Sequence, residues 1–293
     1  YYLLPQGKGL GVISFDDAHA LVMSKVVRLG VESVPLHQAY GRIVARTVTI
    51  DRDLPAQDLS AMDGFACRST DLGLTLAVLE TIAAGKMPTR SIGPGECSRI
   101  MTGACIPSGA DTVVMLEDTS EENGVVRIVT PRENPNIRRQ GEDLRAGDVV
   151  VTEGAHITPA VAAMLATAGC DPVPVCKRPI VGVIATGDEL VEPSDAPADF
   201  QIRNSNAAQL IAQIRRTGCE PRYFGIAQDT PHSLHEKILP AAETCDVVLL
   251  SGGVSTGDFD YVPEVLAEYG IQLHFQQVAV KPGKPTVFGS REG

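Results

Sequence analysis

From residue 179 onward the chain alternates short apolar runs with helical patterns, and this rhythm constrains the fold more than any other feature. PIVGVIATGDELV, PRYFGIAQD, DVVLLSGG and IQLHFQQVAV read as strands; SNAAQLIAQIRRTG, TPHSLHEKILPAAETC and VPEVLAEYG read as the helices between them. The strand runs lack strict apolar–polar alternation, as expected where both faces of a sheet are covered. Strands separated by helices join in parallel, so the segment predicts an α/β domain with a doubly wound, mostly parallel sheet. Ser205 or Asn206 is the expected cap of the first of these helices.

The full 293 residues are enough for two or three compact units. Residues 14–30 form a helical pattern with Ser14 as cap, acids in the first turn and Gly30 at the end. Between about 60 and 131, LTLAVLE, DTVVMLE and VVRIVT are short strands divided by Gly and Pro turns, a small β-rich module. A second helix is expected at 158–169, with Thr158 capping, Pro159 first and Gly169 last, followed by the proline-punctuated hinge PVPVCKRP. YYLLPQGKGLGV has no charged start or cleavage-like site and reads as a leader or tag remnant rather than a signal peptide. FGSREG closes the chain soon after an apolar run, so further protein is expected to follow.

The formal charge of −11 argues against a general nucleic-acid binder, because phosphate neutralisation needs a cationic face. Seven cysteines form neither a CxxC pair nor a Cys/His cluster with zinc spacing; they read as reduced, buried thiols of a cytoplasmic protein. No apolar run reaches membrane-spanning length.

Ligands of open α/β sheets bind beyond the carboxyl ends of the strands. Three of these ends deliver acids: Glu189 after VGVIATGDE, Asp229 after YFGIAQD, and Asp260 in LLSGGVSTGDFDY. Each alone is readable as a turn or cap residue; together they also fit a rim of hard oxygen donors suited to Mg²⁺ and phosphate. Gly252, Gly253 and Ser255 would let a backbone approach a ligand closely, and Asp260, rather than Asp258, is expected to face the metal. Lys281 and Lys284 in KPGKP read either as a solvated loop or as counter-charges to an anion. Asp63 in SAMDGFA and Thr102 in MTGAC lie in glycine-flanked turns, and NIRRQGED, with Asp143, reads as a surface ion-pair cluster.

SAMDGFA, RIMTGACIPSGADTVVMLED, NIRRQGED, ATGDEL, SNAAQLIAQIRRTGCE, LSGGVSTGDFDYV and VKPGKP, in that order, resemble the molybdopterin molybdotransferase family, the family of MoeA and the gephyrin E domain. The resemblance implies insertion of molybdate into adenylated molybdopterin with Mg²⁺, giving the molybdenum cofactor and AMP. It implies a homodimer supplied by a MogA-type adenylyltransferase, with a cleft between the MogA-like domain of one subunit and the β module of the other. It further implies four segments: a leader-like 1–13; an elongated linking and dimerisation domain from 14–50 and 132–177; a β-rich module at 51–131; and a MogA-like α/β domain at 178–293, beyond which a small C-terminal β domain is expected. Asp63 and Thr102 would line the β-module wall, and Asp143 would lie in the linking region. Glu189, Asp229 and Asp260 would serve metal or substrate. Gly252, Gly253, Ser255, Lys281 and Lys284 would follow the phosphate and pterin path. Gln277 stands where relatives often carry a basic residue, and Asn204 where they often carry Asp. The alternatives are a MogA-like adenylyltransferase and a non-catalytic gephyrin-like scaffold.

Overall fold

The computed structural model describes residues 11–130, 134–253 and 261–291, which divide into two compact units, one of residues 33–175 and one joining the N-terminal 32 residues to 176–293.

Helix α1 (Phe15–Ser24) begins where Ser14 Oγ accepts from the Asp17 amide at 3.0 Å, with Asp16 and Asp17 facing the positive helix end. It stops at Ser24, short of the expected residue 30, ahead of the β-branched pair Val26–Val27. Its buried Ala18 packs on Phe275 and Val278, and Ile13 exchanges backbone bonds with Gln277 and Ala279. The helix is therefore built into the α/β unit and not, as its sequence position suggests, into the linking domain expected from 14–50 and 132–177.

In the 33–175 unit, β1 (Leu59–Ser60) precedes a six-stranded mixed sheet. Its strands are β2 (Gly64–Cys67), β3 (Thr75–Ile82), β4 (Glu96–Ile100), β5 (Thr112–Met115), β6 (Thr119–Glu122) and β7 (Val125–Ile128), in the spatial order β5-β2-β4-β3-β7-β6. Only β3 and β4 run parallel; the other neighbours are antiparallel. Alternation along the strands feeds two cores. Phe65, Cys67, Leu76, Cys97, Val114 and Val126 make one, and Ala66, Ile82, Ile100, Ala104 and Val113 make the other. All seven cysteines are free thiols, and burial pushes Cys67 and Cys97 up to about 12.

Strand β8 (Ile137–Arg138) pairs with β1. Helix α2 (Pro159–Thr167) has the expected Thr158 cap and first-turn proline, with Gly169 at φ +67° just beyond its end. Its Leu165 packs with Ala39, Val44, Val151, Ile157, Val173 and Val175.

The α/β unit is built on β9 (Ile180–Thr186), followed by the short strands β10 (Leu190–Val191) and β11 (Ile202–Arg203), helix α3 (Ser205–Arg216) and β12 (Glu220–Ala227). Helix α4 (Pro231–Thr244), β13 (Val247–Ser251) and α5 (Val262–Glu268) complete it. β9 lies between β12 and β13 and is parallel to both. Val181 and Val183 face Ala207 and Ile214 of α3, whereas Ile184 packs among Leu234, Ile238 and Ala241 of α4 and Val262 and Val265 of α5. Both faces are thus covered, as the unbroken apolar runs require.

Two details differ from the sequence reading. The cap of α3 is Asn204, whose Oδ1 accepts from the Ala207 amide at 3.1 Å, and not Ser205 or Asn206. Strand β14 (Gln272–Gln277) does not extend the parallel sheet; it pairs antiparallel with β15 (Pro285–Ser290). The intervening KPGKP reverses the chain through Gly283 at φ +101°, and a turn that short permits only an antiparallel partner.

Candidate active site

The spatial order β12-β9-β13 places the topological switch point between β9 and β13, where consecutive connections leave in opposite directions. β9 ends at Thr186, and the chain turns through Gly187 at φ +145°. A Cβ at Gly187 would stand 2.5 Å from Glu189 Oε2, so the absence of a side chain lets the Glu189 carboxylate fold back over the turn. The Gly187 amide bonds to Ala227 O at 3.2 Å, tying this turn to the end of β12. There the Asp229 amide donates to Asp188 Oδ1 at 3.2 Å. Burial, then the Asp188 charge and more weakly that of Glu189, raise the Asp229 carboxyl above its ordinary value.

Glu189 and Asp229 are therefore close enough for their charges to interact, with Asp188 as a third acid that sequence reasoning missed. The signal was present in TGDE, where two adjacent acids follow one glycine.

On the other side of the switch point, Gly252 (φ +100°) and Gly253 (φ +64°) follow β13. A Cβ at Gly252 would lie 2.4 Å from Thr186 O and 2.7 Å from Thr186 Oγ1; one at Gly253 would lie 2.9 Å from the same hydroxyl. The glycines thus allow the ends of β9 and β13 to touch. Thr186 itself is 3% exposed, and its Oγ1 has no hydrogen-bond partner among the described residues. A buried hydroxyl between two glycine turns at a switch point is a group that sequence reasoning missed. Its signal was the threonine preceding GDE. Ser255, Asp258 and Asp260 lie outside the described residues. Lys281 and Lys284 are exposed on the β14–β15 turn, without a hydrogen bond or ion pair to the three acids among the described residues.

The 33–175 unit holds a separate constellation. Asp63 leads into β2 and Thr102 follows β4, strands that pair antiparallel with Gly64 opposite Ile100. Thr102 donates twice to Asp63 Oδ1, from its amide at 2.6 Å and its hydroxyl at 2.8 Å. These bonds, the amide first, hold the Asp63 carboxyl below its ordinary value, so it is a fixed, exposed anion.

On β8, which pairs with β1, Arg138 makes an ion pair with Asp143. Arg139 Nη1 reaches Asp58 at 2.6 Å, the Gln140 amide reaches the same carboxylate at 2.8 Å, and Leu54 bonds to Leu144 O at 2.8 Å. NIRRQGED is thereby stapled to residues 54–58, which matches the ion-pair reading of that loop. Among the described residues no group of three His, Cys, Asp or Glu side chains forms a ready metal cluster, and no helix is long and apolar enough to cross a membrane.

Residues 13–169 match the family described as the MoeA N-terminal region (domain I and II), and residues 182–292 match a probable molybdopterin binding domain. The molybdopterin molybdenumtransferase of Bacillus subtilis (strain 168) is 40% identical over 267 residues, covering 87% of this chain and 62% of the relative. That of Nostoc sp. is 41% identical over 262 residues, covering 87% and 60%. The crystal structure of the molybdopterin biosynthesis MoeA protein from Pyrococcus horikoshii superposes with a TM-score of 0.85 at 31% identity, over 96% of this chain and 73% of that one. The chain thus spans about three fifths of the length of the curated relatives it matches.

Proposed function

The chain belongs to the MoeA family, and from that membership we propose that it acts as a molybdopterin molybdenumtransferase, inserting molybdate into adenylated molybdopterin and releasing AMP. The observation that carries the reading is the acid rim at the carboxyl ends of β9 and β12, where Asp188, Glu189 and Asp229 come together. Residues 178–293 are read as a MogA-like domain, placing the pterin and phosphates at this rim.

The donor set suits Mg²⁺ in kind, because only hard oxygens are offered; burial first, and then the charges of Asp188 and Glu189, raise Asp229, a site that a cation would relieve. A preassembled cage is not needed, because Mg²⁺ commonly takes one or two carboxylates and completes its shell with water and substrate phosphate. Glu189 and Asp229, with Asp188 beside them, would hold the ion, together with Asp260, which the family resemblance adds and which lies outside the described residues; the ion would supply neutralisation of phosphate charge when bound.

The remaining work falls to the chain's own groups. Gly252, Gly253 and Ser255 give the substrate's phosphates a close approach to backbone amides. Lys281 and Lys284 offset the negative charge of phosphate and molybdate. Asp63, held ionised by Thr102, orients a hydrogen-bond donor of the substrate, and Asp143 fixes Arg138 for an anionic group. Cleavage of the phosphoanhydride then depends on positioning and charge stabilisation more than on a strong nucleophile. The dithiolene sulfurs belong to the pterin, so no cysteine of the chain takes part. The protein is read as a cytoplasmic homodimer supplied by a MogA-type adenylyltransferase.

The test is AMP release from adenylated molybdopterin with and without molybdate. Release should require molybdate, and Glu189→Gln and Asp260→Asn should each lower it by about 10²-fold or more. Release that is indifferent to molybdate, or variants with full rates, would exclude this reaction.

A further inference from the structure

The segment from Gly187 to Arg203 leaves β9 with Asp188 and Glu189 at its start and returns to the cap of α3. Backbone bonds close its neck: Ile202 N donates to Glu189 O at 2.8 Å and Asn204 N to Val191 O at 2.9 Å, with Leu190 opposite Ile202 in the β10–β11 pair. Residues 193–200, beyond the neck, are exposed. From the sheet, Tyr223 on β12 reaches this loop, its hydroxyl donating to Glu192 Oε1 at 2.8 Å.

Asn204 explains why the tyrosine's proton goes to Glu192. Its Oδ1 is committed to the Ala207 amide at 3.1 Å, which turns Nδ2 toward Tyr223, and Nδ2 donates to the phenol oxygen at 2.9 Å. The hydroxyl must therefore accept from Asn204, and its single proton is left for Glu192. Asn204 is 2% exposed, so its amide has little water to turn to instead. An Asp at 204 would offer only acceptors and compete with Glu192 for that proton.

We propose that Tyr223 is a positioning residue for the acid rim: by holding Glu192, it fixes the loop whose first residues are Asp188 and Glu189. The inference rests on the rim being the metal and phosphate site proposed above. The side chain acts through Glu192 and needs no contact with substrate. Burial first, and then the bond to Glu192, push the phenol up to about 12, so the hydroxyl keeps its proton at neutral pH.

Tyr223→Phe removes the hydroxyl and leaves the ring. Amide hydrogen exchange at Ile202 and Asn204 should then quicken about tenfold, while Gly182 and Val183 in β9 keep their parent rates. Glu192→Ala should do the same, and the double variant should exchange no faster than either single one. Glu192→Gln, whose amide oxygen still accepts, should restore the parent exchange. In the AMP-release assay Tyr223→Phe should lower kcat by more than it raises KM. Unchanged exchange in Tyr223→Phe, or additive single effects, would overturn the tether. Faster exchange with an unaltered kcat would overturn the positioning role. A parent without molybdate-dependent release would instead defeat the proposed reaction, and the exchange comparison would still decide the tether.

Discussion

Gly252 and Gly270 form a matched pair in which backbone strain and steric contact separate. Both have positive φ, +100° and +69°. A Cβ at Gly270, just past the end of α5, meets nothing within 4 Å, whereas one at Gly252 would stand 2.4 Å from Thr186 O. Gly270→Ala should therefore lose only the left-handed penalty, about 1–2 kcal/mol. Gly252→Ala adds a clash between two backbones. Restoring ordinary contact, at about 3.4 Å, requires the ends of β9 and β13 to part by roughly 1 Å, which overpacking data place at a further 1–3 kcal/mol or so. Urea denaturation of both variants against the parent measures the difference, provided the m-value is unchanged. β9 is the middle strand of the sheet and is buried along nearly its whole length, so the loss should register in the global transition rather than as local fraying. Equal destabilisation of the two variants would refute the reasoning. It would mean that the switch-point glycines serve their own φ angles and not the contact with Thr186.

Leu234 is 2% exposed within the core shared by α4, α5 and Ile184, and Leu234→Ala should lower stability by about 2–5 kcal/mol in the same urea assay; a loss below about 1 kcal/mol would contradict the packing described. Asp229 has a folded pKa raised above its ordinary 3.8, so the stability it contributes is full below that value and is lost as pH rises through the folded pKa. Asp229→Asn should accordingly flatten urea stability across that window and raise it at pH 7, and a variant less stable than the parent at pH 7 would reverse the sign argued here. With Cys67 and Cys97 pushed up to about 12, roughly one thiol in ten thousand is ionised at pH 8, so Cys67→Ser and Cys97→Ser should leave the fast phase of labelling by a chromogenic disulfide unchanged.

The features legible in the sequence were those that neighbouring residues decide. Ser14 and Thr158 cap helices because a hydroxyl can satisfy amides two or three residues ahead, and no distant partner is needed. The apolar runs 180–186 and 247–251 announced strands covered on both faces, since burial on two sides leaves no room for polar alternation. Acids at strand ends could be named for the same reason, as the end of a strand is a local property.

What tertiary structure alone decided is the identity of partners far apart along the chain. Nothing within residues 15–24 says that their apolar side will meet Phe275 and Val278, because an amphipathic helix accepts any apolar surface of the right shape. Nothing in IQLHFQQ says that its neighbour is Pro285–Ser290 rather than β13. The acids of TGDE and AQD acquire their shared electrostatics only when β9 and β12 lie side by side, 41 residues separating Asp188 from Asp229. The glycines after β13 likewise owe part of their necessity to a threonine on another strand. Capping, periodicity and turn chemistry act over a few residues and can be read from the amino acids themselves. Close approach and charge coupling fall off over a few ångströms, so they exist only once the fold has chosen which distant segments touch.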